Sequence, residues 1–95
     1  MMQLLGLAAR ARKLATGELV LANIRSKQAK LVIIAQDASD NTKKKYQDKC
    51  SFYEIPYIFV ESSVDLSHAI GQTNRMVVAV LDAGFASKIA AGKVR

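Results

Sequence analysis

KLVIIAQDASDNTKKK, residues Lys30–Lys45, opens on five unbroken apolar positions, Leu31–Ala35, with one valine and two isoleucines among them. A β-branched run of that length predicts a strand covered on both faces. Gln36, Asp37 and Ala38 leave the strand. Ser39, Asp40, Asn41 and Thr42 then offer four consecutive N-cap residues before a helix that continues over Thr42–Phe52. The stretch therefore encodes a central strand, a tight loop, and a helix whose free N–H groups open at the strand's C-terminal end. In α/β domains ligands sit in that crevice, and a helix N-terminus there favours an anion.

Working outward toward the N-terminus, Met2–Lys13 predicts a helix with Leu4, Leu7, Ala8, Ala11 and Leu14 on one stripe. Gly6 inside it costs about 1 kcal/mol relative to alanine and so marks close packing. Leu14–Thr16 fits a very short edge strand. Glu18–Lys27 fits a second helix, with Leu19, Val20, Asn23 and Ile24 inward and Thr16 as its cap. Toward the C-terminus, Ile55–Val60 is a strand whose Pro56 suits its start or a sheet edge. Val64–Ile70 is a short helix capped by Ser62 or Ser63 and ended by Gly71. Met76–Leu81 is a second doubly covered strand, followed by a helix over Phe85–Ala91 and a frayed Gly92–Arg95. This alternation predicts an α/β fold: one domain over residues 1–95, a three-layer α-β-α sandwich with a four-stranded mixed sheet, its strands mostly parallel.

Fifty-one per cent hydrophobic residues furnish a core for a chain of 95 residues and exclude a disordered segment. There is no long apolar span, and the N-terminus places its apolar residues before its charges, the reverse of a secretory signal. Cys50 is the only cysteine, which excludes an internal disulfide and a thiolate zinc site; it reads as a buried filler. A cytoplasmic monomer with no membrane contact is the expectation. The net charge of +6 is uneven: residues 1–30 carry +5, residues 31–60 sum to zero, and residues 61–95 carry +1. A basic first third on a balanced domain is the footprint of a polyanion partner, most often nucleic acid.

Catalytic signatures are absent: there is no phosphate-binding glycine loop, no paired histidine motif and no C-x-x-C. His68 stands alone. Asp37, Asp40 and Asp82 each follow a strand, where receivers and phosphatases place metal-binding acids. The fifth strand and later strand-end lysine of a receiver are missing, however, and turn or cap roles suit these residues better. Neither an enzyme nor a cofactor or metal is expected. Three other features fit one end of a sheet: the helix start at Thr16-Gly17, the loop Gln36–Asn41 and the turn Gly71–Arg75, with Arg10, Lys13 and Arg25 flanking. Such a groove suits folded RNA, read by shape and 2′-hydroxyl contacts. An aromatic platform for stacked single strands is lacking.

The segments LLGLAARARKLATGE, KLVIIAQDASDNTKKKYQDKC, YEIPYIFVES and VVAVLDAGFA resemble, in order and spacing, the small bacterial YlxQ-like proteins. These lie within the superfamily of kink-turn-binding ribosomal proteins L-seven-Ae and L-thirty-e. The resemblance covers nearly the whole chain and implies an α-β-α sandwich, not an enzyme, that binds RNA kink-turns, sharply bent internal loops built on sheared G·A pairs, with the ribosome as an associated partner. It implies an RNA groove made by Thr16, Gly17 and Glu18, by the loop from Gln36 through Asp37 to Asn41, and by Ile70, Gly71, Gln72, Thr73 and Asn74. Arg10, Lys13 and Arg25 would meet phosphates, Gly17 and Glu18 would approach the bent bases, and Ile70–Thr73 would cover the extruded nucleotide. Relatives that grip kink-turns tightly follow the helix-start glycine with an Asn two residues on and a Lys six residues on. Counting from Gly17 gives Leu19 and Asn23; aligning backward from Ala29-Lys30-Leu31 gives Glu18 and Ala22. The missing pair motivates an alternative: an adaptor for other proteins that keeps the fold with weak or lost RNA affinity.

Overall fold

A computed structural model describes residues 2–93. Nine elements follow one another: α1 (Met2–Arg10), β1 (Leu14–Thr16), α2 (Leu19–Arg25), β2 (Leu31–Ala35), α3 (Asp40–Tyr53), β3 (Tyr57–Val60), α4 (Ser63–Ala69), β4 (Val77–Val80) and α5 (Ala83–Lys93). The strands form one sheet in the order β1-β4-β2-β3. All five residues of β2 are buried, as a doubly covered strand requires. Because strand side chains alternate, β2 serves two cores. Leu31, Ile33 and Ala35 join Leu5, Leu66, Ile70 and Ile89 on one side. Val32 and Ile34 join Val20, Ile24 and Cys50 on the other. The α-β-α sandwich follows, with α1, α4 and α5 over one face and α2 and α3 over the other.

The sheet is mixed, but the expectation of mostly parallel pairing needs correction. Only β2 and β3 pair in parallel; β4 lies antiparallel to both β1 and β2. The reason is α4. Its seven residues match α2 in length, but whereas α2 carries the chain back along the sheet, α4 does not. Its buried Ser67 hydroxyl accepts from Arg75 N–H at 2.8 Å and donates to the Arg75 carbonyl at 3.3 Å. The chain is thereby held at the rim where β3 ended, and β4 must enter from that rim running downward. The upper rim thus holds the ends of β1, β2 and β3 and the start of β4.

Several local expectations also shift. Helix α1 buries Leu5 and Ala8, while Leu7 is exposed and Leu4 half-buried against the core; of the predicted stripe Ala8 is fully inside, but Leu5 takes the central place expected of Leu4 and Leu7. It stops at Arg10 because Lys13 N–H bonds the Ala8 carbonyl and Arg12 N–H the Ala9 carbonyl, with Arg12 left-handed at φ 59°, a Schellman end. Gly6 does mark close packing, since a Cβ there would lie 3.2 Å from the Ala69 carbonyl oxygen. Thr16 does not cap α2. It stays in β1 opposite Val78, and Glu18 takes the cap position without a side-chain bond. In α2 only Val20 and Ile24 of the predicted inward residues are buried; Leu19 is exposed and Asn23 half-buried, its amide donating to the Leu19 carbonyl. Helix α5 starts two residues earlier than expected, because the Asp82 carboxylate accepts from Phe85 N–H at 2.9 Å and caps it. Gly92 and Lys93 belong to α5, not to a frayed tail, whereas residues 94 and 95 lie outside the described residues.

Candidate nucleic-acid interface

The three turns singled out in the sequence meet at the upper rim. Gly17 follows β1 with φ 61°, a left-handed conformation that glycine adopts without penalty. A Cβ built on it would lie 3.1 Å from Nη1 of Arg75, so the first and third turns touch here. The second turn joins them through β2 and β4, where Ala35 N–H donates to the Met76 carbonyl at 2.8 Å. A hollow of about 170 Å³ lies between them, lined by Gly17, Thr42, Tyr46, Asn74, Arg75 and Met76. A second hollow, of about 280 Å³, is bounded by Ser63, Val64, His68, Gln72, Thr73 and Asn74.

Each turn is fixed from below. Ser39 caps α3, its hydroxyl accepting from Thr42 N–H at 3.2 Å. Ser62 caps α4 in the same way through Asp65 N–H. Asp37 ties the two together: its carboxylate accepts from Ser63 N–H at 3.0 and 3.2 Å and from the Ser63 hydroxyl at 3.0 Å. Gly71, at φ 73°, ends α4, with Gln72 N–H on the Ser67 carbonyl. Arg75 Nε donates to the Gln72 side-chain oxygen at 2.7 Å, which aims the guanidinium across the turn toward Gly17.

The proposed site residues divide accordingly. Thr16, Gly17, Glu18, Asn41, Gly71, Gln72 and Thr73 reach the upper rim. Asp37 is there too, but its carboxylate is committed to Ser63, a positioning role. Ile70 is buried in the core with Leu5 and Leu66, so its side chain does not cover a nucleotide. Arg10 lines a separate depression between α1 and α4, beside Asp65 and His68. Lys13 and Arg25 sit at the opposite end of the sheet, because Lys13 precedes β1, its carbonyl accepting from Leu81 N–H, and α2 runs downward from the rim. The expectation that these cations flank the groove is therefore corrected. Upper-rim charge comes instead from Lys43, Lys44 and Arg75, set against Glu18, Asp37, Asp40 and Glu61. Lys43 stands 3.7 Å from Asp40 and donates to the Gln36 carbonyl. Sequence reasoning placed Arg75 in the third turn but assigned it no contact; its position directly ahead of a strand that enters from the rim was the available signal.

The aspartates do not assemble as a metal site. Asp82 follows β4, which runs antiparallel, and so lies at the other end of the sheet from Asp37. Among the described residues no group of three or more acids, histidines or cysteines is placed to hold a cation. Cys50 is fully buried, and burial pushes its thiol pKa up to about 11, which keeps it protonated and unreactive near neutrality.

Comparison with known proteins fits this geometry. The profile of the ribosomal protein L7Ae/L30e/S12e/Gadd45 family matches residues 1–90. The chain belongs to this family. Within it, the RNA-binding protein YlxQ of Bacillus subtilis is 55% identical over 87 residues, covering 90% of this chain and 87% of the relative. A solved protein of unknown function from Bacillus halodurans superposes with a TM-score of 0.91 at 49% identity, covering 95% of this chain and 92% of that one. The Giardia lamblia 15.5kD RNA binding protein superposes with a TM-score of 0.82 at 25% identity, covering 98% and 82%. The L7Ae-type fold is thus kept across relatives of very different sequence. No helix among the described residues is long and apolar enough to cross a membrane.

Proposed function

We propose that this L7Ae-family chain is a non-enzymatic RNA-binding protein that grips a sharply bent, kink-turn-like RNA segment at the upper rim, in the cytoplasm and in association with the ribosome or another structured RNA. The observation that carries the reading is the convergence of three turns on one rim, with Gly17 leaving open the space beside the Arg75 guanidinium. Backbone N–H groups and hydroxyls along Thr16–Glu18, Gln36–Asn41 and Gly71–Asn74 suit a folded RNA read by shape. Arg75 has four further N–H donors beyond the one held by Gln72, in a planar fork that matches phosphate oxygens or a guanine edge. Glu18, exposed at the start of α2, offers an acceptor to guanine amino and imino groups. The RNA-binding YlxQ relative, at 55% identity, supports the same assignment.

One observation favours a second reading, an adaptor for other proteins. The upper rim carries four carboxylates, which repel a phosphate backbone unless bases or 2′-hydroxyls face them. Titration against a kink-turn duplex and the same duplex with its G·A pairs replaced by Watson–Crick pairs separates the two. The RNA reading expects tighter binding to the kink-turn, and weaker discrimination after Arg75→Ala. Equal affinity for both duplexes would count for the adaptor or for binding by bulk charge.

A further inference from the structure

The excess positive charge of the first third does not lie at the proposed groove; it lies at the other end of the molecule. Helices α1 and α2 both end, ahead of β1 and β2, with the same local pattern, Arg10-Ala11-Arg12 and Arg25-Ser26-Lys27, and both close with a Schellman end. In α2, Gln28 N–H bonds the Asn23 carbonyl and Lys27 N–H the Ile24 carbonyl. The left-handed position that glycine fills most easily is occupied by Arg12 at φ 59° and Lys27 at φ 60°. The chain then enters β1 beside Lys13 and β2 beside Lys30. Lys13 accepts from Leu81 N–H, and Lys30 donates to the Val80 carbonyl, so the two connections bracket the end of β4. Two strand spacings, about 10 Å, separate them. Arg12, Lys13, Arg25, Lys27 and Lys30 are all exposed.

We propose that this lower rim is a second RNA surface, which binds the phosphate backbone of duplex RNA without reading its sequence, so that the protein holds RNA at both ends of its sheet. The choice of RNA as the polyanion rests on the function proposed above. Among the described residues the ion pairs are Lys43–Asp40 and Lys44–Asp48, and neither involves these five cations. The acids nearby are Glu54, at the end of α3, and Asp82, whose carboxylate is taken by Phe85 N–H. Cations at helix C-termini also offset the helix dipole. That role accounts for Lys30, whose ammonium donates to the Lys27 carbonyl at 3.4 Å, but not for all five. Two rows of cations separated by one strand suit the phosphate ridges that border the deep, narrow groove of an A-form helix. The arrangement also resolves the charge problem at the upper rim: attraction is supplied by one end and shape selection by the other.

The test is fluorescence anisotropy of a fully Watson–Crick RNA duplex over a salt series, with the native chain, the double variant Arg12→Gly/Lys27→Gly, and Arg75→Ala. Glycine relieves the left-handed strain, so the double variant melts at or above the native temperature and any loss of binding is not a loss of fold. The log–log salt slope of the double variant is expected to be shallower than native by about 2. Arg75→Ala is expected to leave plain-duplex binding nearly intact. Native affinity and slope in the double variant would overturn the proposal. So would failure of the native chain to bind the duplex at low salt, loss of duplex binding in Arg75→Ala, or displacement of the duplex by polyglutamate at equal charge concentration. Whether kink-turns are preferred over plain duplexes is read separately, so failure of the upper-rim reading does not imitate any of these results.

Discussion

Gly17 illustrates how one backbone angle sets the chemistry of a site. At φ 61° a side chain costs about 1–2 kcal/mol, and a β-branched one more. Gly17→Val, being β-branched, is therefore expected to lower stability by more than about 2 kcal/mol in a denaturant titration and to abolish discrimination between RNAs. Gly17→Asn, whose amide tolerates the left-handed region, should keep most of the stability, which separates strain from groove blockage. Cys50 shows the converse case, a residue whose surroundings silence its chemistry. Burial raises the thiol pKa from 9.0 to about 11. Between those values the unfolded chain has lost the proton that the folded chain keeps, so stability falls as pH rises from about 9 to about 11. The loss approaches about 2 kcal/mol at the top of that window, and Cys50→Ala should flatten this part of the pH profile.

At the scale of elements, serines at helix starts carry much of the upper rim's geometry. Removing the Ser39 cap of α3 by Ser39→Ala is expected to cost about 1 kcal/mol, lowering the melting temperature by about 4–8 °C for a domain of this size. Because Ser39 also sets the exit of the loop Gln36–Asn41, RNA discrimination should weaken along with it. Elements differ in how openly the sequence announces them. Strand β2 was legible because an unbroken apolar run has one comfortable environment, a sheet covered on both sides. The caps at Ser39 and Ser62 and the stop at Gly71 were legible from local chemistry. Helix α1 was found but its central inward residue was not: Leu4 and Leu5 are adjacent, and only the packing against β2 and α5 selects Leu5. The direction of β4 was hidden altogether, since Met76–Leu81 reads the same whichever way the strand runs. That direction depends on Ser67 folding the turn back at Arg75, a contact between residues eight apart.

For the whole molecule, that one hidden direction brings Arg75 to the upper rim and sends Asp82 to the opposite one. With β4 antiparallel, β1, β2 and β3 still end together, so the three turns converge as the residues suggested. Lys13 and Arg25, adjacent in sequence to those elements, fall at their other ends, because a strand or helix that finishes at one rim must begin at the opposite one. The fold itself rests on the doubly buried β2. Ile33→Ala removes a fully buried side chain from the centre of the sheet and is expected to cost about 2–5 kcal/mol by denaturant unfolding, a large fraction of the stability of a domain this small. The proposed function rests on the turns that β2 helps to assemble. Amide chemical shifts of the native chain, followed while a kink-turn RNA is added, test that most directly. The largest changes are expected at Gly17, Glu18, Asn41, Thr73 and Arg75, with smaller ones at Lys13 and Lys27. Changes confined to the lower rim, or to the depression between α1 and α4, would contradict the account.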